Sequence, residues 1–200
     1  MQTVTGLYDN QPDARAVVRA LEDAGIASDN ISIVGRDGDE RDSNAGEGAA
    51  AGAGIGAAVG GTGGLLAGLG MLAIPGIGPV VAAGWLAATA AGAVAGAVAG
   101  GAAGGIIGSL TNEGVDEEDA HVYAEGVRRG STLVSARVED SEAEVAQAII
   151  RDHAPVDLDT RRASYREAGW ERFDGSLPEY TDEDVLKERD RLRQTSQMMP

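Results

Sequence analysis

From Gly48 to Asn112 the chain carries no charged residue, and inside that stretch glycine recurs at every fourth position in two runs. The first run is Gly52, Gly56, Gly60, Gly64 and Gly68; the second is Gly92, Gly96, Gly100, Gly104 and Gly108. On an α-helix a spacing of four places every member on one face. A face of glycines lets a second helix approach almost to backbone contact, the packing mode of membrane helices. The pattern therefore predicts an apolar helical hairpin over 49–110. Its arms, Ala49–Ala73 and Val80–Leu110, would be about 37 Å and about 46 Å long, against a hydrocarbon core of ~30 Å. Pro75, Gly76, Gly78 and Pro79 mark the turn between them.

A helix face in water normally carries charge, so the charge-free arms point to a lipid bilayer. Burial against other copies of the chain, in a homo-oligomer, would meet the same need. The apolar drive is modest, since each central Leu, Ile or Val favours insertion by only about 0.3–0.6 kcal/mol. Trp85 would serve as an interface anchor or as a packing residue within the hairpin. Arg36 and Arg41 precede the hairpin, Arg128 and Arg129 follow it, and the turn has no cation. The positive-inside rule then keeps both termini cytoplasmic. With no Cys and no basic leader before an apolar run, the expected location is the cytoplasmic membrane, or the cytoplasm if the hairpin is buried in an oligomer.

The ends of the chain are acidic. They account for the net charge of −16, which repels phosphate backbones and argues against nucleic acid as a partner. It also disfavours anionic headgroups. Outside the apolar stretch the sequence alternates as an α+β protein. Gln2–Tyr8 reads as a strand with Val4, Gly6 and Tyr8 on one face and Thr3, Thr5 and Leu7 on the other. Asn10 and Pro12 open a helix that closes at Gly25, and Ile31–Val34 reads as a second strand. The pattern returns after about 130 residues. Ser131–Val138 is a strand, Ser141 and Glu144 form a capping-box signature for a helix, and Val156 and Leu158 alternate with Asp157 and Asp159 as a last strand.

Two βαβ halves, 1–36 and 114–164, predict one ferredoxin-like domain interrupted by the apolar hairpin. Two independent modules are the alternative, but each half is small for a core of its own. The second half begins with an extra helix over Val115–Arg129, acidic at its start and basic at its end. Residues 37–48 read as a polar linker. Residues 165–200 read as a polar tail with a short helix at Asp182–Arg193, capped by Thr181 with Asp184. Trp170 and Phe173 fold back on the sheet or form a docking motif.

The same residues hold only fragments of catalytic patterns. A phosphate loop needs Gly-Lys-Ser/Thr, and the single lysine is Lys187. Gly52, Gly54 and Ala57 approximate a dinucleotide fingerprint, but no carboxylate follows before Glu113. Asp37, Asp39 and Asp42 resemble a calcium loop, yet Arg41 and Gly48 occupy ligand positions. His121 and His153 stand alone on separate helices. The expectation is no enzyme, no cofactor, no metal and no small-molecule substrate.

The opening TVTGLYDNQPDARAVVRALEDAGIASDNISIVGRD, the centre LAIPGIGPVVAAGWLAATAAGAVAGAVAGG and the following EGVDEEDAHVYAEGVRRGSTLVSARV together resemble a bacterial general stress protein family, the 17M-like or heat-induced stress protein domain, over about residues 2–175. The resemblance implies a stress-induced protein with membrane-type low-complexity helices and no catalytic residues. The reading that follows is a non-enzymatic, membrane-associated general stress-response protein that self-associates through its glycine stripes. A soluble self-assembling protein, with apolar hairpins buried in an oligomer, and a ligand-sensing regulatory module are the alternatives.

Overall fold

The computed structural model describes residues 1–36, 70–74, 76–89 and 103–198. In chain order the elements are β1 (Gln2–Tyr8), α1 (Gln11–Asp23), β2 (Ile31–Arg36), β3 (Gly70–Ile74), β4 (Gly78–Gly84), α2 (Ala103–Asn112), α3 (Glu117–Arg128), β5 (Thr132–Val138), α4 (Ala143–Asp152), α5 (Leu158–Glu167) and α6 (Asp182–Met198). The protein is α+β; among the described residues five strands form a sheet in the order β1-β5-β2-β4-β3, with every neighbouring pair antiparallel.

Local chemistry sets the helix starts. Asn10 accepts a hydrogen bond from the Asp13 amide at 2.9 Å, with Pro12 in the first turn of α1. Asp116 accepts from the Glu118 amide at 2.8 Å and opens α3. Three acids in the first turn of α3 and Arg128 in its last suit the helix dipole. Thr181 and Asp184 cap α6 reciprocally, the Asp184 amide donating to Thr181 Oγ1 and the Thr181 amide to Asp184 Oδ2. The expected Ser141–Glu144 box is not what opens α4. The cap residue is Glu142, whose carboxylate accepts instead from the Glu139 amide at 3.1 Å.

β5 lies between β1 and β2 and joins the two ends of the chain. Val4 pairs with Ala136 and Gly6 with Val134, while Ile33 pairs with Val134 from the other side. Strand alternation sends side chains to two faces. Val4, Tyr8, Ile31, Ile33, Val134, Ala136 and Val138 meet Val17, Val18 and Leu21 of α1 and Ala146 and Ile150 of α4. Leu7, Val34, Val80, Ala82 and Leu133 meet Ile106 and Leu110 of α2 and Tyr123 and Val127 of α3. The sheet is thus covered on both faces, in three layers. Thr5, on the second face, shares a 2.7 Å hydrogen bond with the Tyr123 hydroxyl.

Three expectations are corrected. The ferredoxin-like plan survives only in the neighbours β1-β5-β2. The last strand expected at Val156 and Leu158 is a single backbone contact, the Val156 amide donating to Leu7 O at 2.8 Å, after which Asp157 caps α5. The Asp157 carboxylate accepts from the Thr160 amide at 2.7 Å, and that cap wins over the two-residue alternation. The apolar hairpin expected as two helices is, over its central residues, a β-hairpin. Gly70–Ile74 pairs with Gly78–Gly84 around the turn, and β4 pairs with β2 through Val34–Ala82 and Arg36–Val80. A strand buried on both faces needs an uninterrupted apolar run, and so does a membrane helix; the two are alike in composition. Finally, the C-terminal residues form more than a tail. Phe173 is buried with Ile74 and Ile77, and α6 packs beside α3 and α5.

Candidate functional site: a charge cluster under the C-terminal helix

Charge is buried most densely where α3 ends. Arg128 and Arg129 close the helix, and Glu125 stands one turn earlier, at the i−3 and i−4 positions that face them. The Glu125 side chain is 0% exposed. It accepts from Arg128 Nη1 at 3.2 Å and from Arg129 Nε at 2.6 Å. A carboxylate carries no stability advantage when buried unless such bonds compensate its lost hydration.

α6 brings the second carboxylate. Glu188 is 8% exposed and accepts from Arg129 Nη1 at 3.1 Å. It also accepts from Arg191 on its own helix, at 2.6 Å from Nη2 and 2.8 Å from Nε. Burial pushes the Glu188 carboxyl up, but the hydrogen bonds from Arg191 and Arg129 outweigh it and hold the group below its ordinary value. Arg191 donates further to Ser164 of α5 at 2.9 Å, and Arg128 Nη2 donates to Pro178 O at 2.9 Å.

Aromatic faces complete the cluster. Arg129 lies 4.1 Å from the centre of the Tyr165 ring, and Arg128 lies 4.9 Å from that of Tyr180. Burial pushes the Tyr165 hydroxyl up to about 12, against the opposing influence of Arg161. Arg161 Nη2 in turn donates to both carboxylate oxygens of Asp9, just after β1, at 2.8 and 2.9 Å. An open depression of about 460 Å³, lined by Arg128, Tyr180, Asp184, Lys187, Glu188 and Arg191, lies at the cluster's edge. Both buried carboxylates are fully engaged by guanidinium groups, so the chemistry on offer is electrostatic docking of one helix on another. Among the described residues no group of three or more His, Cys, Asp or Glu side chains is placed to hold a metal ion.

The residues singled out in the sequence fall elsewhere. Gly52, Gly56, Gly60, Gly64, Gly68, Gly92, Gly96, Gly100 and Pro75 lie outside the described residues, as do Asp37, Asp39 and Asp42. Gly104 and Gly108 lie on α2, and a methyl group at Gly108 would meet no described atom within 4 Å. Pro79 is exposed in β4. Gly76 and Gly78 have positive φ, 78° and 99°. His121 sits beside Arg172 and Glu117, and burial together with Arg172 pulls its pKa below the ordinary value while Glu117 opposes. Trp85 is buried, with Arg137 4.8 Å from its ring centre.

The turn between β3 and β4 does not reach away from the domain. An added Cβ on Gly76 would lie 2.5 Å from Gly175 Cα, and one on Gly78 would lie 2.9 Å from the Glu179 carboxylate. Arg36 donates to Ile77 O at 3.2 Å and approaches Asp182 at 3.9 Å. No helix among the described residues is long and apolar enough to cross a membrane. Gly70–Ile74 and Gly78–Gly84 are strands of the sheet, so these residues are not the ends of two membrane-spanning helices and the turn between them does not lie on a far side.

The charge cluster escaped sequence reasoning, although Glu125, Arg128 and Arg129 carried the right helical spacing. Such runs are usually solvated, and only the arrival of α6 buries this one.

The fold and the cluster define an α+β protein whose most distinctive buried side chains bind parts of the chain to one another. Residues 3–73 match the family model of the heat induced stress protein YflT domain. The match begins in β1 and ends in β3, so the charge cluster and the C-terminal helices lie beyond it. No curated protein and no solved structure matches the chain.

Proposed function

We propose that this chain is a non-enzymatic general stress-response protein of the cytoplasm that self-associates through its charge-free glycine and alanine segments. The observation that carries the stress-response part is the similarity of residues 3–73 to a heat induced stress protein domain. Self-association rests on composition. The domain is strongly acidic, and like charge keeps copies apart. The charge-free segments 48–69 and 90–102 offer no such repulsion, and their glycines at spacing four favour close helix contact. The first leads into Gly70 and the second follows Gly84–Thr89; Gly70 pairs with Ala82, so both segments join the sheet at the same end.

Two measurements test this. The protein level before and after heat shock should rise; a constant level removes the stress assignment. Sedimentation velocity of the full chain should show an oligomer, and replacing Gly60 and Gly96 by leucine should shift it toward monomer. A monomeric wild type that floats with phosphatidylcholine vesicles would replace self-association by attachment to a lipid surface. A monomer that does not float would remove both.

A further inference from the structure

We propose that the C-terminal segment from Trp170 through α6 is a charge-latched strap that opens as one unit and, on opening, uncovers the apolar turn between β3 and β4. This does not depend on what the charge-free segments contact.

Among the described residues the strap contributes no strand to the sheet. Residues 168–181, between α5 and α6, contain neither helix nor strand. Its apolar anchors are few. Phe173 belongs to the same buried cluster as Ile74 and Ile77, Trp170 meets Tyr165 edge-on at 5.7 Å between centroids, and Val185 seats on Gly130. The rest of its seat is polar: Arg129 to Glu188, Arg128 to Pro178 O, Arg191 to Ser164, Arg189 to Gly130 O at 3.1 Å, and Arg36 to Asp182.

The way the charges are divided makes this a latch. Breaking a buried ion pair is costly mainly when it strands an unpaired charge. Here each side keeps its own partner. Glu125 stays paired with Arg128 and Arg129 within α3 and its end, and Glu188 stays paired with Arg191 within α6. Of the carboxylate–guanidinium contacts in the cluster, the one that crosses between α3 and α6 is Arg129–Glu188. Opening therefore breaks one buried charge contact, the half-exposed approach of Arg36 to Asp182, a handful of neutral acceptor bonds, the ring contacts of Tyr180 with Arg128 and Arg129, and the Trp170, Phe173 and Val185 anchors, while water solvates two sets that are already neutralised in part. Segments with few apolar contacts open well below the free energy of global unfolding.

What opening uncovers is apolar. Ile74 and Ile77 are 2% and 1% exposed, and the Gly76 backbone is in near contact with Gly175. Turn and strap are thus linked at Gly76 and Gly78, which meet Gly175 and Glu179, whereas residues 80–84 are held in the ladders with β2 and β3.

Hydrogen exchange with mass spectrometry on the full chain tests the coupling. Glu188→Gln removes the crossing charge contact, and Phe173→Ala removes the apolar anchor without touching a charge. Each should raise exchange tenfold or more in peptides covering 173–190 and, together with them, at the turn amides of Gly76, Ile77 and Gly78, while the ladder amides of 80–84 change less than twofold. Peptides from α1, β1 and β5 should change less than twofold. Leu186→Gln, at a residue 59% exposed on α6, should leave all of them unchanged. Faster exchange throughout the chain would mean that the C-terminal segment is part of the cooperative core. Faster exchange in the strap with an unchanged turn, or no change in either variant, would equally overturn the proposal.

Discussion

Gly76→Ala separates two costs that the structure places on one residue. At φ 78° an alanine Cβ crowds its own backbone, a strain of about 1–2 kcal/mol. The same Cβ would lie 2.5 Å from Gly175 Cα, 2.7 Å from its carbonyl oxygen and 2.9 Å from its carbonyl carbon. These are backbone atoms without a rotamer to turn aside, so the contact adds an overpacking cost of about 1–3 kcal/mol. The second cost has a ceiling, because it disappears if the C-terminal segment lifts away. Gly25→Ala is the matched control: φ is 93° and no atom lies within 4 Å of the added methyl, so it carries the strain alone. Urea unfolding of both variants, followed by far-ultraviolet circular dichroism and by tryptophan fluorescence, gives the difference directly. Gly76→Ala should lose about 1–3 kcal/mol more than Gly25→Ala. Equal losses would refute the close seating of residues 173–182 on the turn.

Gly108→Ala should stabilise the protein by about 1 kcal/mol, since alanine is the better helix former and no described atom obstructs the methyl; a loss of stability in thermal melts would show that the glycine stripe makes a contact there. The melting temperature should fall in two stages on acidification. His121 is held below its ordinary value, so the unfolded chain takes up the proton first as pH falls through about 6.5, and stability drops in that window. Glu188 is also held below its ordinary value; its contribution is present above the unfolded value of about 4.3 and is lost as pH falls through the lower native one. Asp119, raised by burial, works in the opposite direction. A flat profile from pH 8 to 5 would remove His121 from this account.

Local rules carried the parts of the fold that depend on neighbours in sequence. The alternation of Val4, Gly6 and Tyr8 against Thr5 and Leu7 is the division between the two faces of the sheet. Asn10, Asp116 and Thr181 start helices because their side chains satisfy the first free amides. The repeated pattern 130 residues apart was enough to bring β1 and β5 together. The alternation at Val156 and Leu158 failed because two residues of period-two pattern are weaker than one Asp cap three residues from Thr160.

What the sequence determined, then, is that the chain is α+β, that its ends fold together, and that residues 48–112 form a charge-free run. It did not determine what that run packs against. A charge-free run of Leu, Ile, Val, Ala and Gly satisfies a bilayer, an oligomer or the middle of a covered sheet, because each asks only that no charge be buried. Tertiary structure chose the sheet for Gly70–Ile74 and Gly78–Gly84: β2 offered an unpaired edge, and α2 and α3 covered one face. The same holds for Glu125, Arg128, Arg129 and Glu188. Their spacing is local, but burial is a property of the assembled chain, and only the docking of α6 turned four surface charges into an interior cluster.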